Sequence, residues 1–109
     1  MKNCAAIQMA SGPDVEANLL EAGRLIGAAA EAGAGLVVLP ENFALMGRTE
    51  FDKLDCMENV GNGMIQQFLA DSARRNSVWI VGGTLPIVAS VSGKIRASCL
   101  VFDDQGQQV

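Results

Sequence analysis

The chain has 109 residues, of which 50% are hydrophobic and 18% are charged, and its formal net charge is -4. A single domain is expected, because a chain of this length has enough apolar residues for one core. The negative charge disfavours nucleic-acid and anionic-membrane partners, which are bound through basic patches. No apolar stretch has the length of a membrane span and the N-terminus lacks the pattern of a secretory signal, so the sequence predicts a cytoplasmic protein.

Histidine is absent, and the three cysteines form no CxxC pair. The lack of histidine removes the commonest protein metal ligand and the base of Ser-His-Asp and Cys-His catalytic sites. We therefore predict no metal site and no cofactor. The odd number of cysteines favours reduced thiols, and a nucleophile here would need a carboxylate or a lysine as its base.

The first third of the chain has the pattern of a βαβ unit. Residues 3–9 are short and apolar and predict a buried strand. Asp14 is a good N-cap, and the apolar residues after it recur at spacings of three and four, which predicts a helix that ends near Gly33. The continuous apolar run 36–39 predicts a second strand, covered on both faces in a parallel sheet.

The remainder alternates between loop, helix and strands. Residues 42–63 are irregular and predict a long loop, of the kind that often lines sites. Residues 64–76 have helical spacing, with Arg74 and Arg75 at the end, where they interact favourably with the helix dipole. Further strands are predicted at 78–81, 85–88 and 95–102, followed by a turn at 103–106 and the start of a return strand.

Gly82 and Gly83 separate two of these strands. A phosphate-binding glycine loop opens onto a helix N-terminus, whereas the residues after Gly83 have the pattern of a strand. A nucleotide loop is therefore disfavoured, and close backbone packing or a β-bulge is favoured.

Glu41 is the candidate catalytic residue, because it follows the second predicted strand directly. Pro40 cannot donate to a sheet, so the chain is expected to leave the sheet there. Ligands of open α/β sheets bind beyond the carboxyl ends of strands, where a carboxylate can act as a general base if burial makes it more basic. On this pattern alone, a structural role in which Glu41 binds a loop amide or caps a turn is the commoner alternative.

The segment Leu39-Pro40-Glu41-Asn42-Phe43 resembles part of the nitrilase, or carbon-nitrogen hydrolase, superfamily. The resemblance runs along the whole chain in the order of the family. Its other segments are 6–9, Asp14 with 17–19, 33–34, 81–84, and 100–103 with Gly106. Residues 1–109 thus resemble the N-terminal portion of a single domain, which implies part of a four-layer αββα sandwich.

The resemblance also implies a reaction, the hydrolysis of a small amide by a Glu, a Lys and a Cys. Glu41 matches the family's general base, which takes the thiol proton, while the Lys stabilises the tetrahedral intermediate and a thioester then hydrolyses. The loop after Glu41 is expected to line the substrate pocket, with Phe43 and Met46 as candidate contacts. The family also implies a homo-oligomer.

The family's Lys and Cys normally lie after further strands, so residues 1–109 are expected to end before both, and these residues alone are not expected to be active. Cys4 and Cys99 lie inside predicted strands, where inert core thiols are expected. Cys56 lies in the predicted loop and lacks the strand-end turn of the family's nucleophile. Lys53 and Lys94 do not occupy the family's lysine position.

Two other functions stay open at this point. A non-catalytic scaffold or interaction protein could keep the fold without the chemistry. A metal-dependent phosphoesterase has a similar sandwich with a Glu after its second strand as a magnesium ligand, but its histidines are missing here.

Overall fold

The computed structural model describes residues 3–46, 57–59, 61–88 and 95–109. Its helices and strands are β1 (Cys4–Ala6), α1 (Val15–Glu31), β2 (Leu36–Val38), α2 (Met64–Asn76), β3 (Trp79–Val81), β4 (Leu85–Val88), β5 (Ile95–Ser98) and β6 (Val101–Phe102). One sheet has the order β1-β2-β3-β6, in which β1, β2 and β3 are parallel and β6 is antiparallel to β3. Strands β4 and β5 form an antiparallel pair.

The predicted βαβ unit is confirmed. The Asp14 carboxylate accepts a hydrogen bond from the backbone N–H of Ala17 at 3.2 Å, which satisfies one of the free amides at the start of α1. The helix is followed by Gly33, whose φ of 97° is one that L side chains rarely adopt. The predicted second helix is confirmed as α2, and Arg74 and Arg75 lie in its last turn.

The core lies between the helices and one face of the sheet. Ala5, Val37, Ile80 and Phe102 are partners across the four strands and form one row. Three of them are at most 4% exposed, and Ile26 of α1 and Leu69 of α2 are both 0% exposed in the same cluster. Burial of these apolar side chains is the main term that holds the helices on the sheet.

The opposite face of the sheet is open in the part of the chain that the structure describes. Cys4 and Ala6 are exposed, and Val38 is 36% exposed. The predictions of a buried first strand and of cover on both faces of the second strand are therefore wrong for the described residues. The reason is that α1 and α2 pack against each other and on the same side of the sheet.

The predicted strand 95–102 is two strands, β5 and β6, in different sheets. Cys99 falls at the break and is exposed, so the prediction of a core thiol there is wrong. Val81 pairs with Val101 and Leu85 pairs with Ser98, which places residues 82–84 opposite 99–100. Three residues opposite two make a β-bulge where the chain passes from one sheet to the other, and the expectation of close backbone packing or a bulge at Gly82 and Gly83 is confirmed.

The predicted turn after β6 is confirmed, whereas the expected start of a return strand is a single isolated bridge. The backbone N–H of Gly106 donates to the Asp103 carbonyl oxygen at 3.0 Å, with a φ of 81° at Gly106. Gln108 then forms an antiparallel bridge with Phe102.

A buried carboxylate, Glu58, joins the start of α2 to β4. It is 9% exposed and accepts hydrogen bonds from the backbone N–H groups of Ile65 at 2.6 Å and Gln66 at 3.1 Å. Its own backbone N–H donates to the Pro86 carbonyl oxygen at 3.0 Å, and its carbonyl oxygen accepts from Val88 at 2.8 Å. Because amides at a helix N-terminus carry partial positive charge, this position compensates for the burial of the charge.

Two neighbours complete the environment of the Glu58 carboxylate. The Gln66 side-chain Nε2 donates to Glu58 Oε1 at 3.1 Å and to the Asn59 carbonyl oxygen at 2.6 Å. Gly63 has a φ of 146°, and a Cβ atom there would lie 2.2 Å from the Glu58 carboxyl carbon. The Glu58 side chain can therefore take this position only if residue 63 is glycine.

We expect Glu58→Gln to lower the free energy of unfolding by roughly 2–3 kcal/mol, because the amide presents an N–H where the helix also presents N–H donors. Urea unfolding of the full-length protein measures this change in the free energy of unfolding. Glu31→Gln, at the exposed end of α1, is the matched control and should change the free energy by less than about 0.5 kcal/mol. Equal effects of the two substitutions would contradict this account of Glu58.

Candidate functional site

The carboxyl ends of β1, β2 and β3 lie together, because these strands are parallel. We call this end of the sheet the site edge. Glu41 lies at this edge, in the turn that follows β2. The turn begins just after Leu39, whose backbone N–H donates to the Val81 carbonyl oxygen at 2.9 Å. The Glu41 side chain is exposed, so the carboxylate is accessible to a ligand at the edge where α/β sheets bind ligands.

The turn that carries Glu41 contacts the bulge after β3. The backbone N–H of Asn42 donates to the Thr84 hydroxyl oxygen at 3.0 Å. Asn42 has a φ of 57°, a left-handed conformation that Asn adopts more readily than most residues. At Gly83 a Cβ atom would lie 2.0 Å from the Pro40 carbonyl oxygen, so only glycine lets the bulge approach the turn this closely.

A second set of contacts holds the chain that follows the turn. Asn18, on α1, is 6% exposed, and its side-chain Nδ2 donates to the carbonyl oxygens of Gly12 and Ala44, both at 2.8 Å. The Asn18 Oδ1 accepts from the Gly12 backbone N–H at 3.0 Å. The Ser11 hydroxyl donates to the Phe43 carbonyl oxygen at 2.5 Å. One amide side chain therefore joins the loops that follow β1 and β2.

The two predicted pocket residues differ in their surroundings. Phe43 is 0% exposed and lies in the core, with its ring centroid 6.4 Å from that of Phe68. Met46 is 50% exposed, and its backbone N–H donates to the Gly12 carbonyl oxygen at 2.9 Å. Phe43 thus packs the loop against the core, whereas Met46 lies on the surface. A contact of either residue with a substrate stays a prediction.

Of the other chemically reactive residues considered in the sequence, only two cysteines are among the described residues. Cys4 lies on β1 and Cys99 between β5 and β6, both exposed. Cys56, Lys53 and Lys94 lie outside the described residues. Within the described residues, no three acidic or cysteine side chains are grouped as a metal site would require, and neither helix is long and apolar enough to cross a bilayer.

Three polar residues with structural roles were missed by the sequence analysis, namely Asn18, Glu58 and Thr84. Ala44, one of the two partners of Asn18, is 26 residues away, and the partner of Thr84 is 42 residues away, so no local spacing indicates these contacts. A signal was available for Asn18 alone, because a polar residue on the apolar face of a predicted helix must find partners when it is buried.

We expect Asn18→Asp to lower the free energy of unfolding by roughly 2–3 kcal/mol, because a carboxylate oxygen would then face the Gly12 and Ala44 carbonyl oxygens. Thermal melting of the full-length protein measures the effect. Asn3→Asp, at an exposed position, is the control and should leave the melting temperature almost unchanged. An unchanged melting temperature in Asn18→Asp would exclude the role given to this side chain.

Comparison with known proteins gives a family and several relatives. The sequence model of the carbon-nitrogen hydrolase family matches residues 3–109. Deaminated glutathione amidase from a Synechocystis strain is 39% identical over 106 residues, which cover 96% of this chain and 38% of that protein. Nitrilase homolog 2 from Dictyostelium discoideum is 35% identical over 106 residues, covering 96% of this chain and 31% of that protein.

The fold agrees with the sequence comparison. The crystal structure of Nit3 from Saccharomyces cerevisiae, a member of the nitrilase superfamily, matches with a TM-score of 0.79 at 29% identity. The match covers 90% of this chain and 38% of that chain. The chain therefore spans between 31% and 38% of the length of these relatives. The predicted part of a nitrilase-type sandwich is confirmed, and the phosphoesterase alternative belongs to a family other than the one that matches.

Proposed function

Because this chain belongs to the carbon-nitrogen hydrolase family, we propose that it forms the N-terminal portion of an amidase domain and supplies Glu41 as the general base. The observation that carries the proposal is the position of Glu41. Its carboxylate is exposed at the site edge. The next residue, Asn42, is hydrogen-bonded to Thr84, and Ala44 in the following loop is hydrogen-bonded to Asn18. A base held by a fixed backbone meets its reaction partner without a further ordering cost.

The reaction we propose is the one that the family resemblance implies. Glu41 takes the proton of a cysteine thiol, and the sulfur forms a bond to the amide carbon. The tetrahedral intermediate loses its nitrogen as ammonia or an amine, which leaves with a proton, and a thioester remains. Water then adds to the thioester and releases the acid and the thiol. The Lys and Cys of this reaction are proposed to come from residues outside 1–109.

The substrate class we propose is a small amide. It is supported by the relatives, since the Synechocystis protein is named a deaminated glutathione amidase and the mouse protein an omega-amidase. Deaminated glutathione is therefore the first compound to assay. We further propose a homo-oligomer in the cytoplasm, the former by family resemblance and the latter because an odd number of cysteines suits a reducing compartment.

We expect Glu41→Gln in the full-length protein to lower kcat/KM for the amide by about a thousandfold or more, because glutamine cannot accept the thiol proton. The melting temperature should stay within a degree or so of the wild-type value, since the replaced side chain is exposed. Glu31→Gln is the matched control and should keep full activity. Turnover by Glu41→Gln at the wild-type rate would contradict the assignment of the base.

The scaffold alternative predicts a different outcome from the wild-type protein. An amidase should form a covalent acyl adduct with its substrate, seen by mass spectrometry after rapid acid quenching as an added acyl mass on one cysteine peptide. A scaffold protein should show neither the adduct nor release of ammonia across a panel of small amides. That result, with folded protein, would favour the scaffold over the hydrolase.

A further inference from the structure

We propose that Thr84 is a positioning residue for Glu41, and that its hydroxyl group fixes the direction of the Glu41 carboxylate by holding the peptide that follows it. This inference rests on the proposed function, because it concerns the same base. It gives the bulge after β3 an indirect role in the reaction, because the bulge would position Glu41 without any of its side chains contacting the substrate.

The hydrogen bond between the Asn42 N–H and the Thr84 Oγ1, 3.0 Å long, is the first observation. Asn42 follows Glu41 directly, so this hydrogen bond holds the peptide plane that joins the two residues. Fixing this plane restricts ψ of Glu41 and φ of Asn42, and the position of the Glu41 side chain depends on that backbone. Thr84 is half-buried, which limits the competition of water for the same N–H.

The second observation is that the same bulge lies directly against the backbone before Glu41. The Cα atom of Gly83 is so close to Pro40 that a Cβ atom would lie 2.0 Å from the Pro40 carbonyl oxygen. Glu41 is therefore flanked on both sides by contacts to two consecutive residues of another strand connection. Residue 82 completes the support, because its N–H donates to the Leu100 carbonyl oxygen at 2.7 Å.

The third observation is the conformation of Asn42. Its φ of 57° is unfavourable for a non-glycine residue and needs compensation from its surroundings. The Thr84 hydroxyl supplies a compensating contact in this conformation. Without the hydroxyl, Asn42 is free to return to the ordinary right-handed or extended regions, and Glu41 would move with it.

A pair of substitutions separates the hydroxyl from the shape of the side chain. Thr84→Val keeps the branched shape and removes the acceptor, whereas Thr84→Ser keeps the hydroxyl and removes a methyl group. In the full-length protein, we expect Thr84→Val to lower kcat about 10- to 100-fold with KM within about threefold of wild type. Thr84→Ser should keep kcat within about threefold, and circular dichroism and the melting temperature check that both variants are folded.

Hydrogen exchange of the Asn42 amide tests the contact without any assay of activity. In the full-length protein, labelled with ¹⁵N, we expect this amide to exchange about tenfold faster in Thr84→Val than in wild type, and at nearly the wild-type rate in Thr84→Ser. Amides of α1 should be unaffected in both variants. Unchanged exchange in Thr84→Val would overturn the inferred hydrogen bond and, with it, the positioning role.

Activity measurements separate the role of Thr84 from the proposed function. Faster exchange in Thr84→Val together with an unchanged kcat would overturn the positioning role while leaving Glu41 as the base. A parallel loss of kcat in Thr84→Val and Thr84→Ser would show that the hydroxyl is not the responsible group and would also overturn it. An inactive wild-type protein would overturn the proposed function instead, and the exchange measurement would still decide whether Thr84 holds the turn.

Discussion

The candidate site depends on one extra residue in the sheet. Residues 82–84 lie opposite two residues of the partner strand, and the bulge that results pushes Gly83 and Thr84 toward the turn after β2. Parallel strands bring their carboxyl ends to one edge, but they do not fix the direction of a side chain there. The contact between bulge and turn adds that second constraint, through a steric fit at Gly83 and a hydrogen bond at Thr84.

Two buried polar residues support the same arrangement from further away. Asn18 ties the loops after β1 and β2 to α1, and Glu58 ties the start of α2 to β4, the strand that leaves the bulge. Each side chain satisfies backbone groups that would otherwise be buried without partners. The strand that leaves the bulge and the loop that follows the Glu41 turn are thus each connected to a helix.

Sequence periodicity was sufficient for α1, α2, β4 and the βαβ unit, because each has a regular pattern bounded by caps or turn residues. It failed for 95–102, because no turn residue marks the break between β5 and β6, which pair with strands of two different sheets. Glu41 could be proposed because its position at a strand end is a local property. Asn18 and Thr84 bind partners 26 and 42 residues away, so these contacts become apparent only when the loops are assembled.

The bulge also limits how the length of this chain can vary. Removing one residue from 82–84 would remove the extra residue that brings Gly83 and Thr84 against the turn after β2. The turn that bears Glu41 would then lose its partner, and the buried residues Leu85, Pro86 and Ile87 would have to repack. Insertions and deletions should therefore be far rarer here than in the surface loops of the same fold.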